Sequence, residues 1–209
     1  MKIENRVYDN PELKIRAFKE GDQMILEGYA AVFDVESKLI YENGKAFFEI
    51  LERGAFSETI NNDVYLTFNH SKDKILARTI NKTLELKEDE TGLFFRANLN
   101  NTTSSKDLYE MVERGDVIEN SFAFTVDDKG QKWERNADGD PVRHISRISN
   151  LFDVSVVTKA AYPQTVVWAR GYEEFENLSK ELDKIITDFK DTNIESEKEL
   201  AQILNKIIK

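Results

Sequence analysis

A serine stands inside a short aromatic run at Asn120-Ser121-Phe122-Ala123-Phe124, just after a helical pattern that closes at Gly115. A hydroxyl in such a run is either buried and satisfied within a strand or held up at a surface for chemistry, and taken alone it reads as a strand serine. Two further segments supply what a reactive serine would need. Upstream, Phe68-Asn69-His70 ends an apolar run on one of the chain's two histidines; downstream, Leu151-Phe152-Asp153-Val154-Ser155-Val156-Val157 carries a single acid in a second apolar run. A serine hydroxyl is a poor nucleophile until a neutral imidazole takes its proton, and the imidazole works best when a carboxylate or second histidine fixes its tautomer. Ser121, His70 and an acid could therefore form an activated nucleophile. Spacing alone does not decide it, because any chain of this size contains such a trio.

The elements that must position these residues are mostly short strands. Leu13, Ile15 and Ala17 alternate with charged residues; after Glu20-Gly21-Asp22 the segment 24–33 reads as the return strand, with Gly28 marking a bulge or a close backbone approach. Further strands are expected at 47–51, 64–69, 75–80, 83–87, 93–99, 117–126, 142–158 and 166–168. The segment 54–60 has room for a turn or two of helix, and Asn136-Ala137-Asp138-Gly139-Asp140-Pro141 is a hairpin signal. Strands this short, with turns this frequent, point to a small barrel or sandwich. One helix interrupts them: Ser104 and Ser105 can cap it, Leu108, Met111 and Val112 form its apolar stripe, and Gly115 sits where a C-terminal glycine belongs.

Past Gly171 the pattern changes. Phe175, Leu178, Leu182, Ile185 and Phe189 follow a heptad-like spacing, and Ser196 with Glu199 forms a capping-box pattern ahead of Leu200, Ile203, Leu204, Ile207 and Ile208. We divide the chain into a β domain at 1–171 and an amphipathic helical extension at 172–209. The extension either packs back on the β domain or mediates self-association or partner docking through 173–209.

Composition narrows the function. With 29 Lys and Arg against 39 Asp and Glu, the 209-residue chain carries a net charge of −10 and no basic block, a poor basis for nucleic-acid binding. It has no cysteine, which excludes disulfides, thiolate catalysis and cysteine-based zinc sites. The glycines are scattered singly, so no phosphate loop supports a nucleotide, and His70 and His144 lack the spacing of a metal site. No cofactor is expected. The first residues have no apolar signal core, and no run approaches the ~20 apolar residues needed to span a bilayer, so an intracellular soluble protein with no membrane partner is expected.

The sequence resembles the caudovirus prohead (capsid maturation) protease family, whose fold is related to the herpesvirus assembly proteases. The resemblance runs from about residue 25 to residue 168 and rests on motifs in order: Glu27-Gly28-Tyr29-Ala30-Ala31-Val32-Phe33; Glu49 followed by Gly54-Ala55-Phe56; Asp63-Val64 followed by Asn69-His70; Leu84 to Phe95 with Asp89 and Gly92-Leu93; Asn120-Ser121-Phe122-Ala123-Phe124; and Leu151 to Pro163. Each motif is weak singly; six in the right order are specific. Ala123 and Ala77 stand where the family usually has glycine, and Lys159 where it usually has proline.

What the resemblance implies is an α+β fold, a small mostly antiparallel β-barrel flanked by helices. Ser121 would be the nucleophile and His70 the general base. Asp153 is the third member by alignment, with His144 as rival because the herpesvirus relatives use a second histidine. The oxyanion hole would be backbone N–H groups near the serine, with Arg78 or Arg147 as candidate helpers. The implied function is a serine endopeptidase acting inside the procapsid, in the host cytoplasm, on the scaffolding protein, the N-terminal region of the major capsid protein, and itself. The alternatives are a catalytically silent, scaffold-like assembly protein that keeps the barrel, and an unrelated β-barrel binding module.

Overall fold

A computed structural model describes residues 1–8, 14–42 and 44–158. Apart from Gly44 and Lys45, these belong to one compact unit made of 1–42 and 46–162; 43–45 and 163–209 form a second. The strand expected at 166–168, Lys159 and the extension at 172–209 lie outside the described residues.

In chain order the elements are β1 (Glu4–Tyr8), β2 (Arg16–Glu20), β3 (Gln23–Val32), β4 (Ile40–Glu42), β5 (Lys45–Leu51), β6 (Tyr65–Phe68), β7 (Ser71–Arg78), β8 (Leu84–Glu88), β9 (Gly92–Asn98), α1 (Thr103–Glu113), β10 (Glu119–Thr125), β11 (Gln131–Arg135), β12 (Pro141–Ile145) and β13 (Asn150–Val157). They assemble into a five-stranded sheet in the order β1-β10-β13-β6-β7 and two four-stranded sheets, β11-β12-β5-β4 and β2-β3-β9-β8. β12 pairs parallel with β5 and β13 parallel with β6, whereas β1 with β10, β10 with β13, β11 with β12, β2 with β3, β3 with β9, β6 with β7 and β8 with β9 are antiparallel.

The expectation of a closed barrel is corrected here. Among the described residues each sheet is open, with no last strand hydrogen-bonded back to its first, and the core draws side chains from all three sheets. Local alternation specifies which residues face inward, but it does not specify which edges meet. Among the described residues one helix, α1, accompanies the strands rather than several.

The core is aromatic. Phe56 packs edge-on to Phe122 at 5.4 Å between centroids, and Phe122 stacks on Phe124 at 4.8 Å. Phe56 comes from the segment expected to be helical, which is instead a set of hydrogen-bonded turns such as Thr59 N to Phe56 O (2.8 Å). Gly28 is a close approach, since a Cβ there would lie 3.2 Å from the Ile15 Cα. Helix α1 is capped two residues before the first of the expected caps: Thr102 is its N-cap and accepts the Ser105 N–H. It ends on Gly115, at φ +81, with the Gly115 N–H on Val112 O and the Asp116 N–H on Met111 O, a Schellman motif that turns the chain toward β10.

Charge also joins the sheets. Arg6 on β1 donates from Nε and Nη2 to Glu49 on β5 (2.8 and 3.1 Å), and Arg143 on β12 donates to both Glu49 (3.0 Å) and Glu4 on β1 (2.5 and 3.0 Å). Glu49, Arg143 and Arg6 are all buried, so the centre of this network is largely shielded from water, with Glu4 partly exposed at its edge.

Candidate active site

His70 owes its place to an unusual turn. β6 and β7 form a hairpin closed by the pair Phe68 and Ser71, so Asn69 and His70 are its two central residues. Both have positive φ, +52 and +54, as a two-residue type I′ turn requires. Left-handed backbone costs a non-glycine residue about 1–2 kcal/mol, though Asn and His adopt it more readily than most. β13 holds the turn from beside it: the Asn69 N–H donates to Val156 O (2.9 Å), the Thr158 N–H donates to Asn69 Oδ1 (3.0 Å), and the His70 N–H donates to Ser155 Oγ (2.9 Å).

Ser121 lies on β10, an internal strand between β1 and β13, every residue of which is buried. In register it faces Val7 on one side and Ser155 on the other. Alternation sends its neighbours Asn120 and Phe122 to the opposite face, where the Asn120 side chain donates to Tyr29 O (3.0 Å) and Phe122 enters the core. Asp153 lies on β13, the strand between β10, which bears Ser121, and β6, which leads into the His70 turn, and it pairs in register with Ala123 and Tyr65. Three segments widely separated in sequence thus meet because β13 pairs antiparallel on one side and parallel on the other.

The resulting geometry is linear. Ser121 Oγ lies 2.7 Å from His70 Nε2, and Asp153 Oδ1 lies 2.7 Å from His70 Nδ1. A carboxylate at Nδ1 accepts the proton carried there, which leaves Nε2 to accept from the serine hydroxyl. The side chains of His70 and Asp153 keep 21% and 16% exposure, whereas Ser121 is fully covered. This is the arrangement that activates a serine hydroxyl for attack on an acyl carbon.

The remaining sequence candidates go elsewhere. His144, on β12, directs Nε2 to Glu134 (2.7 Å) and Nδ1 to Glu52 (3.3 Å), away from the Ser121 sheet. Arg78 is bound by Asp63 and lies over the Tyr65 ring at 4.5 Å; Arg147 donates to both carboxylate oxygens of Asp127 (3.1 and 3.0 Å). Each candidate oxyanion cation is thus engaged by a carboxylate. Sequence reasoning missed Ser155 and Thr67, whose hydroxyls lie 3.1 Å apart beneath the His70 turn. The available signal was a hydroxyl in each of two apolar strands, the same signal that marked Ser121.

A model of the caudovirus prohead serine protease family matches residues 11–180, and the chain belongs to that family. It is 32% identical over 123 residues to the prohead protease of Enterobacteria phage HK97, an alignment covering 57% of this chain and 49% of that protein. The chain thus spans about half the length of the curated relative it matches. Among solved structures it is similar to the bacteriophage T4 capsid assembly protease, at 9% identity and a TM-score of 0.46, covering 76% of this chain and 98% of that one.

Proposed function

We propose that this chain is a serine endopeptidase of phage procapsid maturation, with Ser121 as nucleophile, His70 as general base and Asp153 as the group that fixes the imidazole. The observation that carries the reading is the pair of 2.7 Å contacts at the two nitrogens of one ring. His70 takes the Ser121 proton through Nε2 as Oγ attacks the scissile carbonyl, and Asp153 stabilises the imidazolium that forms. That proton then passes to the leaving amine, and water repeats the cycle on the acyl-enzyme. Family membership supports peptide bonds as the substrate class. The major capsid protein, the scaffolding protein and the chain itself are the proposed targets, reached inside the procapsid. The segment 172–209 is the proposed packaging or self-association element.

A second reading has one observation in its favour. A fully covered Ser121 suits a silent assembly protein as well as a protease that opens only when its shell has closed. Co-expression of the chain with the capsid and scaffold proteins of its own genome neighbourhood, wild type beside Ser121→Ala, separates the two when read by intact mass. Shortened substrates with wild type alone establish the protease, and their new termini give its specificity. Full-length masses in both favour the silent protein, and cleavage that survives Ser121→Ala means another serine is the nucleophile.

A further inference from the structure

The reacting set leaves one buried hydroxyl beside it unused. Ser155 is two residues beyond Asp153 on the same face of β13, and in register it faces Ser121 on one side and Thr67 on the other. Ser121 and Ser155 are fully covered and Thr67 nearly so, a row of hydroxyls crossing three neighbouring strands. Buried polar groups persist where each has a partner, so the partners of Ser155 define what it does.

A serine hydroxyl offers one proton and two lone pairs. Ser155 Oγ lies 2.9 Å from His70 N, 3.1 Å from Thr67 Oγ1, 3.2 Å from Thr67 O and 3.3 Å from Val156 O. A backbone N–H can only donate, so Ser155 accepts from His70. Its second lone pair takes the Thr67 hydroxyl, and its own proton goes to one of the carbonyl oxygens. The hydroxyl is then saturated, with its polarity set by the amide of His70. Nothing is left over for an imidazole, which separates Ser155 from the role proposed for Ser121.

We propose that Ser155 is a positioning residue for His70, holding the histidine's backbone while Asp153 holds its ring. The proposal rests on the reading of Ser121, His70 and Asp153 as the reacting set. Among the contacts that pin the turn, the Val156 and Thr158 bonds act on Asn69; the Ser155 bond acts on His70 itself. His70 has a φ of +54, outside the basin a histidine prefers, and is kept there by what surrounds it. Release of its N–H lets φ relax, and the Cα–Cβ bond carries that rotation to both ring nitrogens at once. One strand thus fixes the general base at two points, carboxylate to ring and hydroxyl to main chain.

The test uses the full chain and two readouts. In proton NMR, a His70 Nδ1–H bonded to Asp153 gives a far-downfield signal, identified by its loss in Asp153→Asn. A fluorophosphonate probe, with the labelled serine mapped by mass spectrometry, reports nucleophile activation without a known substrate. Ser155→Ala is expected to lose the downfield signal or raise its solvent exchange at least about tenfold, and to slow Ser121 labelling by up to about 100-fold, the scale of an ångström-sized misplacement. Ser155→Cys fills the same space with a weaker acceptor, so it carries the test if the alanine variant does not fold; the same changes are expected in smaller degree. A downfield signal that persists in both variants with wild-type exchange overturns the proposal, as does a wild type without that signal. A wild type that shows the signal, loses it in Ser155→Ala, yet is never labelled at Ser121 upholds the positioning role, and the co-expression experiment then separates a silent protein from a protease that opens only in its shell.

Discussion

Ser121 and Ser155 stand directly opposite each other on neighbouring antiparallel strands, and both hydroxyls bond to His70, one to the ring and one to the main chain. The ring nitrogen that faces Ser121 can accept a proton, whereas the backbone N–H that faces Ser155 can only give one. That single difference in partner divides two equally buried serines into a nucleophile candidate and an anchor. β13 produces the division because the His70 turn folds over its end, where Ser155, Val156 and Thr158 bond to the turn's backbone and to the Asn69 side chain.

Asp153→Asn tests the ring side of this arrangement. An amide nitrogen presented to Nδ1 favours the tautomer with the proton on Nε2, which then faces Ser121 as a donor. In Ser–His–Asp enzymes this substitution lowers kcat on the order of 10⁴-fold while leaving the geometry intact. Peptide hydrolysis or fluorophosphonate labelling measures it here. A loss smaller than tenfold would show that Asp153 does not orient the base. His144→Asn, on a separate sheet with its ring between Glu52 and Glu134, is expected to leave the rate unchanged.

Glu49→Leu tests the buried ion network. Glu49 accepts from both Arg6 and Arg143, and its loss removes one negative charge from the buried set, leaving Arg6 with Glu4 and Glu42 and Arg143 with Glu4. Breaking one member of such a buried set costs about 3–5 kcal/mol, read from the urea midpoint at constant slope. The exposed pair Arg53 and Asp34 is the contrast: Asp34→Asn is expected to cost no more than about 1 kcal/mol.

The sequence made most of the strands legible through their local apolar patterning, and the helix legible because Gly115 and the Leu108 stripe mark it locally; β1 and β11, short and rich in polar residues, were not among the strands expected. Ser121, His70 and Asp153 were singled out by type and by motif order, which survive without knowledge of the pairing. Sheet closure was not legible. The parallel pairings of β12 with β5 and β13 with β6 join segments nearly a hundred residues apart, and no local period encodes them. For the same reason the Arg6, Glu49 and Arg143 network was invisible: each residue reads alone as a charge in a strand. The N-cap was misplaced by two residues because Thr102, Ser104 and Ser105 are all competent caps, and only Thr102 has the extended backbone the position needs.

Tyr29 and Asp89 make a pair whose stability contribution has two pH limits. The Tyr29 hydroxyl donates to Asp89 Oδ2 at 2.7 Å, while Oδ1 accepts the N–H groups of Thr91 and Gly92. The bond to Asp89, aided by burial, raises the Tyr29 pKa. Burial alone would raise the Asp89 carboxyl, but the bonds from Tyr29, Thr91 and Gly92 outweigh it and hold it below its usual range. The Asp89 contribution is present above the unfolded value near pH ~4 and is lost as pH falls through the lower folded value. The Tyr29 contribution is present below its unfolded value near pH ~10 and is lost as pH rises through the higher folded one. Tyr29→Phe should therefore narrow the difference in melting temperature from wild type at both ends of the pH range. A difference that is the same at pH ~3, ~7 and ~11 would show that the bond does not form in solution.

The Asn69 turn separates backbone strain from hydrogen bonding. Asn69→Ala imposes the left-handed penalty on a residue that resists it, about 1–2 kcal/mol, and also removes the acceptor of the Thr158 N–H. Asn69→Gly removes the same acceptor but adopts positive φ freely. Glycine should thus recover most of the stability lost with alanine, as read from urea unfolding. Activity should follow a different order. Glycine leaves the turn without the side-chain tie to β13, so labelling of Ser121 is expected to stay well below wild type even where stability returns. If the glycine variant recovers stability and labelling together, the Thr158 tie contributes nothing to the placement of His70, and the turn's conformation alone is sufficient.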